Sequence, residues 1–454
     1  MDRRKVSAPA DAVDLALRRS PDRSLMQTTS LEPDAIRARA AVSAVFFANG
    51  FALASWVPHI PVVKQYLGLG DGLLGLVLLA MAVGAVAALA ASGALVRWFG
   101  SRSATRAAAV GVCLALPLPV LSPTIPLVAA SLLIFGACNG ALDVAMNAQA
   151  VAVERRHARP LMSSFHGLFS TGGLAGAAVA GTATWLGAPA RAHVVGAAVA
   201  MLALVAAALP SLLRDDAEDA EDGASELAFA RPTGAIRTLG LLAFAALVAE
   251  GAMADWSAVF LHDVLFAGPA LAAAGFAACS TAMAIGRFGG DAAVAAFGAT
   301  AVLRLSGALG AAGLCLALLR GTPLAAIVGF GMVGLGIANA IPLIFRRAGN
   351  LEGVAPGTGL AATASLGYLG LLSGPPMIGL VAELTTLRVG LGLVVFCTAF
   401  LAIAARAVEP PTKRALDLGA GAESARKRVR GDASAGSWPN MLARDRCASR
   451  EDAT

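Results

Sequence analysis

Three polar residues recur at helical spacing inside one long apolar stretch. Asn139, Asp143 and Asn147 are four residues apart, so a helix places them on one face. We predict that Asp143 carries a coupling proton, because burial favours a neutral carboxyl, and that the amides hydrogen-bond a polar solute. Two alternatives stay open: the amides bond only to a neighbouring helix, or Asp143 belongs to a gate with the Arg155–Arg156 loop.

A second apolar stretch carries two further carboxylates. Glu250 is near its centre with no arginine in the same segment, so it must be protonated, paired with another helix or exposed to a water-filled cavity. We predict proton coupling or binding at Glu250 and at Asp255, although Asp255 is near the outer boundary, where solvation is an alternative. Trp256 is a candidate for stacking on a solute, or an interfacial anchor.

Other polar and aromatic residues are predicted to contact a solute. Asn49 and Trp56 lie in the first apolar segment, and His166 opens the fifth, where a pH-responsive gate and a merely hydrated imidazole are alternatives. We expect His59 and Lys64, which follow the first segment, to be solvated in an outer loop.

A set of charges close to segment ends is predicted to form a gate on the cytoplasmic side. It comprises Arg97, Arg106, Glu154, Arg287 and Asp291, and the last two are four residues apart, in reach of each other on a helix. The alternative is that these charges only set topology.

The sequence excludes several functional classes. The sequence lacks the HExxH and GxSxG motifs of hydrolases and has no phosphate-binding lysine loop. We therefore predict that the protein is not an enzyme and has no cofactor and no metal site. The cysteines have no paired spacing. Nucleic acid is not an expected partner despite the net charge of +6, because the basic residues lie in short loops and tails.

The elements that position these residues are predicted to be membrane helices. Hydrophobic residues make up 57% of the 454 residues and charged ones 14%, and a bilayer core of about 30 Å needs ~20 apolar residues per helix. We predict an all-α membrane protein with twelve transmembrane helices, at about 40–60, 73–95, 106–122, 127–150, 164–186, 191–210, 238–261, 268–290, 303–320, 324–345, 358–382 and 386–408.

Basic residues in the loops predict the orientation. Alternate loops hold thirteen arginines on one side, from Arg97 to Arg347, against Lys64, Arg191, Arg320 and Arg388 on the other. Because basic residues stay in the cytoplasm, this favours N-in/C-in with an even number of helices.

The chain divides into five predicted regions. They are a disordered cytoplasmic tail (1–39), an N-terminal six-helix bundle (40–210), an acidic cytoplasmic linker (211–237), a C-terminal six-helix bundle (238–408) and a disordered basic tail (409–454).

The two bundles are predicted to be pseudo-symmetric. Phe99-Gly100 and Phe297-Gly298 are each followed by five residues and then an arginine, and Gly140-Ala-Leu-Asp143 corresponds to Gly336-Ile-Ala-Asn339. These matches indicate an internal duplication and make Asn339 a further candidate for solute binding.

Longer motifs resemble the major facilitator superfamily. The stretch Gly93-Ala-Leu-Val-Arg97-Trp-Phe-Gly100-Ser-Arg102 resembles its loop signature, with Val96 where the family usually has an aspartate, and Gly286-Arg287-Phe-Gly-Gly290-Asp291 resembles the second copy. Gly140 to Gln149, Val153 to Arg156 and Ser164 to Ser170 are similar to the bacterial YbjJ-type branch near the fucose permeases.

The resemblance implies a secondary transporter of the bacterial inner membrane that works by alternating access between two halves. We expect a monomer in membrane lipid that moves a small polar or amphiphilic solute, favouring a sugar-like metabolite, with protons as the coupling ion. An amide at Asn49, where the fucose-permease relatives use an acid, puts their mechanism in doubt for this chain. Export by proton antiport and a transport-fold receptor are the alternatives.

Overall fold

A computed structural model describes residues 33–157, 161–214 and 234–409, apart from 353 and 355. Most of the two predicted tails and of the linker lies outside the described residues. Throughout the described ranges the secondary structure is helical, as expected of a chain whose backbone groups must bond to one another in lipid.

The first half of the chain, residues 33–214, begins with a helix that continues almost unbroken to residue 67. Its helices are α1 (Pro33–Trp56), which passes through a 3-10 turn (Val57–His59) into α2 (Ile60–Leu67), then α3 (Asp71–Ala115), α4 (Leu118–Leu121), α5 (Ile125–His157), α6 (Met162–Trp185) and α7 (Ala190–Ala208).

The second half, residues 234–409, repeats this pattern. Its helices are α8 (Gly234–Val259), extended by a π-helical turn (Phe260–Val264), then α9 (Pro269–Phe297), α10 (Ala299–Arg320), α11 (Pro323–Ile337), α12 (Ala340–Ala348), α13 (Pro356–Leu384) and α14 (Leu387–Ile403).

The predicted duplication has a backbone counterpart at two glycines. Gly100 interrupts α3 with φ 79° and ψ 155°, and Gly298 separates α9 from α10 with φ 80° and ψ 155°. A positive φ of this kind favours glycine because a Cβ is poorly tolerated there. The same sharp bend therefore follows the second predicted segment of each half.

Helices overlap all twelve predicted segments, and ten stretches of the described chain are long and apolar enough to cross a membrane. The other two positions hold α6, of 24 residues, and α14, of 17 residues. Twelve crossings and the N-in/C-in orientation stay predictions.

The halves meet along two helix pairs. In one, α3 packs against α13, with Gly75 close to the Pro375 carbonyl, and in the other α6 packs against α9, with Gly167 facing the Phe288 ring. One hydrophobic core contains residues of both halves and a second lies within the second half.

Small residues bring helix backbones together inside each half. The Phe47, Phe51 and Phe244 carbonyl oxygens occupy the space that a Cβ would need at Gly172, Gly176 and Gly370, respectively. This is the close approach that small-xxx-small spacing permits. At Gly374, by contrast, the nearest atom would be 3.8 Å from a new Cβ, which is an ordinary contact.

We predict that Gly370→Ala destabilises the protein by about 1–3 kcal/mol, because α8 and α13 must separate to admit the methyl group. Gly374→Ala, on the same helix face one turn later, is the matched control and should change stability by less than about 0.5 kcal/mol. Thermal unfolding in detergent compares the two, and equal melting temperatures for both variants would contradict this packing.

Candidate functional site

A cavity of about 200 Å³ lies between the two halves. Helices α1, α3 and α6 of the first half and α8 and α9 of the second line it. Its polar lining side chains are Trp56, Ser170, Glu250, Asp255, Ser280 and Arg287. We call it the seam cavity.

An ion pair joins two helices in the wall of the seam cavity. The Glu250 carboxylate on α8 lies 3.6 Å from the Arg287 guanidinium on α9, with 39% and 35% of the two side chains exposed. The distance is too long for a direct hydrogen bond, so the two groups attract each other as an ion pair. Of the three environments expected for Glu250, the structure shows two together, pairing with another helix and exposure to a cavity.

Arg287 is therefore placed differently from its predicted gate partner. Asp291, one turn further along α9, is exposed and is not among the residues that line the cavity. The helical spacing puts the two residues near one face, but Glu250 on the neighbouring helix supplies the nearer carboxylate.

Asp255 contributes a carboxyl without a basic partner. It lines the cavity together with Glu250, and no ion pair or hydrogen bond to its side chain occurs within the described part of the chain. A carboxylate in such a site must be neutralised by a proton or a cationic group, or hydrated. The cavity thus has two carboxyl groups and one guanidinium.

The two candidate tryptophans have different surroundings. Trp56 lines the cavity, and its indole N–H is buried without an acceptor among the described residues. Trp256 is fully buried outside the cavity lining, with its ring near Gly379 of α13. Only Trp56 is therefore in reach of a solute in the cavity.

The polar face of α5 lies away from the cavity lining. Asn147 donates to the Asp143 carbonyl oxygen at 2.7 Å and to its carboxylate at 3.3 Å, so these groups partly satisfy each other. Asp143 also interacts electrostatically with Tyr368 of α13, in the other half. Asn139 is partly buried, and its amide oxygen has no partner in the described chain.

Two further asparagines make helix–helix contacts. The Asn49 amide is buried and contacts the Met146 sulfur on α5 at 4.0 Å. Asn339 donates to the Gly286 carbonyl at 2.9 Å, where the chain breaks between α11 and α12. Both amides thus contact a neighbouring helix, and solute binding by either residue stays a prediction.

His166 lies close to the ion pair. Its ring is edge-on to Phe46 at 5.3 Å, and it interacts electrostatically with Arg287 across the α6–α9 contact. The imidazole is exposed, so it is available to a solute or to water.

Three of the predicted gate charges lie within the first half. The Glu154 carboxylate accepts from the Leu161 and Met162 amides, at 2.6 and 2.8 Å, and so caps the start of α6. Arg106 donates to the Leu209 carbonyl at 3.0 Å, while Arg97 is exposed. Their gating role stays a prediction.

The expectation that Lys64 is solvated is wrong. Its ammonium lies 2.5 Å from a carboxylate oxygen of Asp71 and 2.5 Å from one of Asp263, and only 13% of its side chain is exposed. His262 contacts the other Asp263 oxygen at 2.7 Å. Because α1 and α2 extend to residue 67, Lys64 lies within a helix that faces the second half and not in a loop.

A carboxylate of the second half reinforces this junction. Glu383, at the end of α13, accepts from the Gly72 amide at 3.1 Å, at the start of α3. A carboxylate is favoured there by the free amides and the dipole of a helix N-terminus. We call Lys64, Asp71, Asp263 and Glu383 the lysine cluster and its side of the protein the lysine face; the opposite side is the arginine face.

His59 is also not solvated. It is 3% exposed, and its Nε2 lies 2.7 Å from Nδ1 of His193, so one imidazole donates to the other. This bond joins the end of α1 to α7 within the first half. Nothing in the local sequence signals the pair, because its members are 134 residues apart.

We predict that Lys64→Gln destabilises the protein by about 1–2 kcal/mol, because it leaves Asp71 and Asp263 without their shared cation. Asp263→Asn should cost less, since Lys64 keeps Asp71, and the double variant should cost less than the sum. Unfolding in mixed detergent micelles measures this coupling.

The exposed pair Asp34–Arg37, with charges 3.8 Å apart, is the matched control. Neutralising it should change stability by less than about 0.5 kcal/mol. Strict additivity of Lys64→Gln and Asp263→Asn would show that the lysine cluster contributes nothing as a unit.

Comparison with known proteins places this geometry in a family. The Major Facilitator Superfamily model matches residues 42–357. An uncharacterized MFS-type transporter of Yersinia pestis is 39% identical over 363 residues, covering 80% of this chain and 94% of that protein.

Solved structures show the same fold. A variant of the nucleoside transporter NupG matches with a TM-score of 0.69 at 13% identity, covering 82% of this chain and all of that one. A variant of the E. coli fucose:proton symporter FucP matches with a TM-score of 0.56 at 15% identity, covering 83% and 100%. The chain belongs to the major facilitator superfamily of membrane transporters.

Proposed function

We propose that the chain is a secondary active transporter that binds a small polar or amphiphilic solute in the seam cavity. The observation that carries the proposal is the Glu250–Arg287 pair, which lines a cavity between the two halves. A structural ion pair has no need of a cavity, whereas a binding site needs polar groups that converge on one.

A sugar-like metabolite is the favoured solute. Trp56 adds an aromatic ring to the cavity lining, and Glu250, Asp255 and Arg287 offer hydrogen-bond partners for hydroxyl groups. A cavity of about 200 Å³ suits a compact solute. Nucleosides and fucose, named for two structural neighbours, both contain a sugar ring.

The charge of the cavity supports our proposal of proton coupling. Arg287 compensates Glu250, so Asp255 is the carboxyl that most needs a proton when the cavity is closed to water. A proton on Glu250 would release Arg287 to bind the solute. Asp143, which interacts electrostatically with Tyr368 of the other half, is a further candidate carrier.

Alternating access would use a separate gate on each face. The lysine cluster joins the halves on one face and must separate for the cavity to open there. The gate on the other face would involve Arg97, Arg106, Glu154, Arg287 and Asp291. We place the arginine face in the cytoplasm of a bacterial cell, with twelve crossings of the inner membrane by a monomer.

Export of amphiphilic compounds is the second candidate function. Much of the cavity lining is apolar and adaptable, with Met81, Met253, Met283, Phe169 and Phe276. Flexible methionines suit chemically varied ligands. If inward proton flow drove such a compound outward, the same fold would act as a proton antiporter.

The experiment that separates the two functions is a thermal-shift screen of the purified protein at two pH values. Sugars, nucleosides and lipophilic cations serve as probes, because a ligand of the folded state raises the melting temperature by mass action. We expect stabilisation by a sugar-containing solute. Stabilisation by lipophilic compounds alone would contradict the favoured solute and support export.

We predict that Asp255→Asn, Glu250→Gln and Asp143→Asn each abolish uptake of that solute against its gradient in proteoliposomes while exchange continues, since a neutral side chain cannot release a proton. Asp34→Asn, at the exposed start of α1 and outside both the cavity lining and the two gates, is the control and should retain concentrative uptake. Concentrative uptake by all three carboxyl variants would place the proton carrier elsewhere.

A further inference from the structure

A second cleft lies within the second half, away from the seam cavity. It has a volume of about 910 Å³ and forms where the chain turns between α9 and α10, beside the end of α12 and residues 408–409. This is the arginine face of the protein.

The cleft is strongly basic. Arg304, Arg346 and Arg347 line it, and Glu409 is the acid among its lining residues. Arg304 and Arg346 are exposed, and within the described part of the chain neither is paired with a carboxylate. Arg347 donates to the Asn350 carbonyl at 2.9 Å, and its Nε is buried without a partner. The cleft thus has an excess of two positive charges.

A helix terminus adds to this attraction for anions. Residues 299–301, the first three of the 22-residue helix α10, line the cleft, so their free amides and the positive end of the helix dipole are available there. The Thr300 hydroxyl, another lining group, is buried without a hydrogen-bond partner among the described residues. Arginines together with a helix N-terminus are typical of phosphate sites.

Apolar residues on the same cleft indicate which phosphate compound fits. Val294, Phe297 and Leu343 line it beside the arginines, and Phe297 is exposed. These residues lie at the ends of helices long enough to cross the membrane, the depth at which lipid headgroups meet acyl chains. A soluble phosphate would make no favourable contact with these apolar side chains, whereas a lipid acyl chain would.

We propose that the cleft binds the phosphate of an anionic phospholipid, with Arg304 and Arg346 on the headgroup and Phe297 against an acyl chain. The proposal is independent of the transported solute, since its residues lie outside the seam cavity.

The test uses the full chain in detergent and short-chain phosphatidylglycerol. We expect phosphatidylglycerol to raise the melting temperature by several degrees, and phosphatidylcholine at the same concentration to raise it much less. The double variant Arg304→Gln/Arg346→Gln should lose most of this shift, with an apparent affinity about tenfold weaker or more. Arg320→Gln is the matched control, because Arg320 ends the same helix α10 on the opposite face.

Glu409→Gln gives a second test in the opposite direction. Removing the one acid should strengthen phosphatidylglycerol binding several-fold, a gain that a misfolded variant cannot produce. The melting temperature of each variant without lipid reports whether it is folded.

Four results would overturn the proposal. Equal stabilisation by phosphatidylcholine would mean that no headgroup is recognised. An undiminished shift in the double variant, or no gain with Glu409→Gln, would place the anion elsewhere. An equal shift with inorganic phosphate alone would make a soluble phosphate the ligand and remove the lipid from the proposal.

Discussion

The cost of an ionised side chain in hydrocarbon is the constraint on which the rest of this structure depends. A charge at membrane depth requires a counter-ion, water or a proton. The described part of the chain meets this requirement largely where the two halves meet: Glu250 pairs with Arg287 beside a cavity, and Lys64 lies between Asp71 and Asp263. Of these pairs, Lys64–Asp263 joins the two halves directly, beside the apolar packing of α3 against α13 and of α6 against α9.

Breaking an ion pair between the halves costs little free energy if water reaches the two charges, because their hydration then replaces the interaction between them. Inside each half, helix backbones approach through glycines such as Gly172 and Gly370, where an added methyl group has no space, and the halves approach each other in the same way where Gly75 meets the Pro375 carbonyl. For the proposed alternating access to open the lysine face, both the Lys64–Asp263 ion pair and the packing of α3 against α13 would have to separate.

Helix positions could be predicted from the sequence because hydrophobicity is a local signal. Helices overlap all twelve predicted segments, and the repeat predicted from Phe99-Gly100 and Phe297-Gly298 reappears as two glycines of equal backbone geometry. This agreement does not give the number of membrane crossings, because α14 has only 17 residues.

Partners of side chains were harder to predict, since they depend on which helices become neighbours. The spacing of residues along α9 predicted Asp291 as the partner of Arg287, but the packing of α8 against α9 makes Glu250 its ion-pair partner. The solvated loop expected at Lys64 is a helix that contacts the other half. The sequence signal for that cluster was one lysine and three acids, Asp71, Asp263 and Glu383, near the ends of segments on the same predicted side.

The measurement that tests this account most directly is thiol labelling of Ser280→Cys, a residue of the seam cavity, in a protein without its other cysteines. A membrane-impermeant maleimide is added to vesicles that expose the lysine face. We predict slow labelling with the lysine cluster intact and labelling several-fold faster after Lys64→Gln, because the cation that holds the halves together on that face is lost. Equal rates in the two proteins would contradict the claim that the lysine cluster closes the cavity on this side.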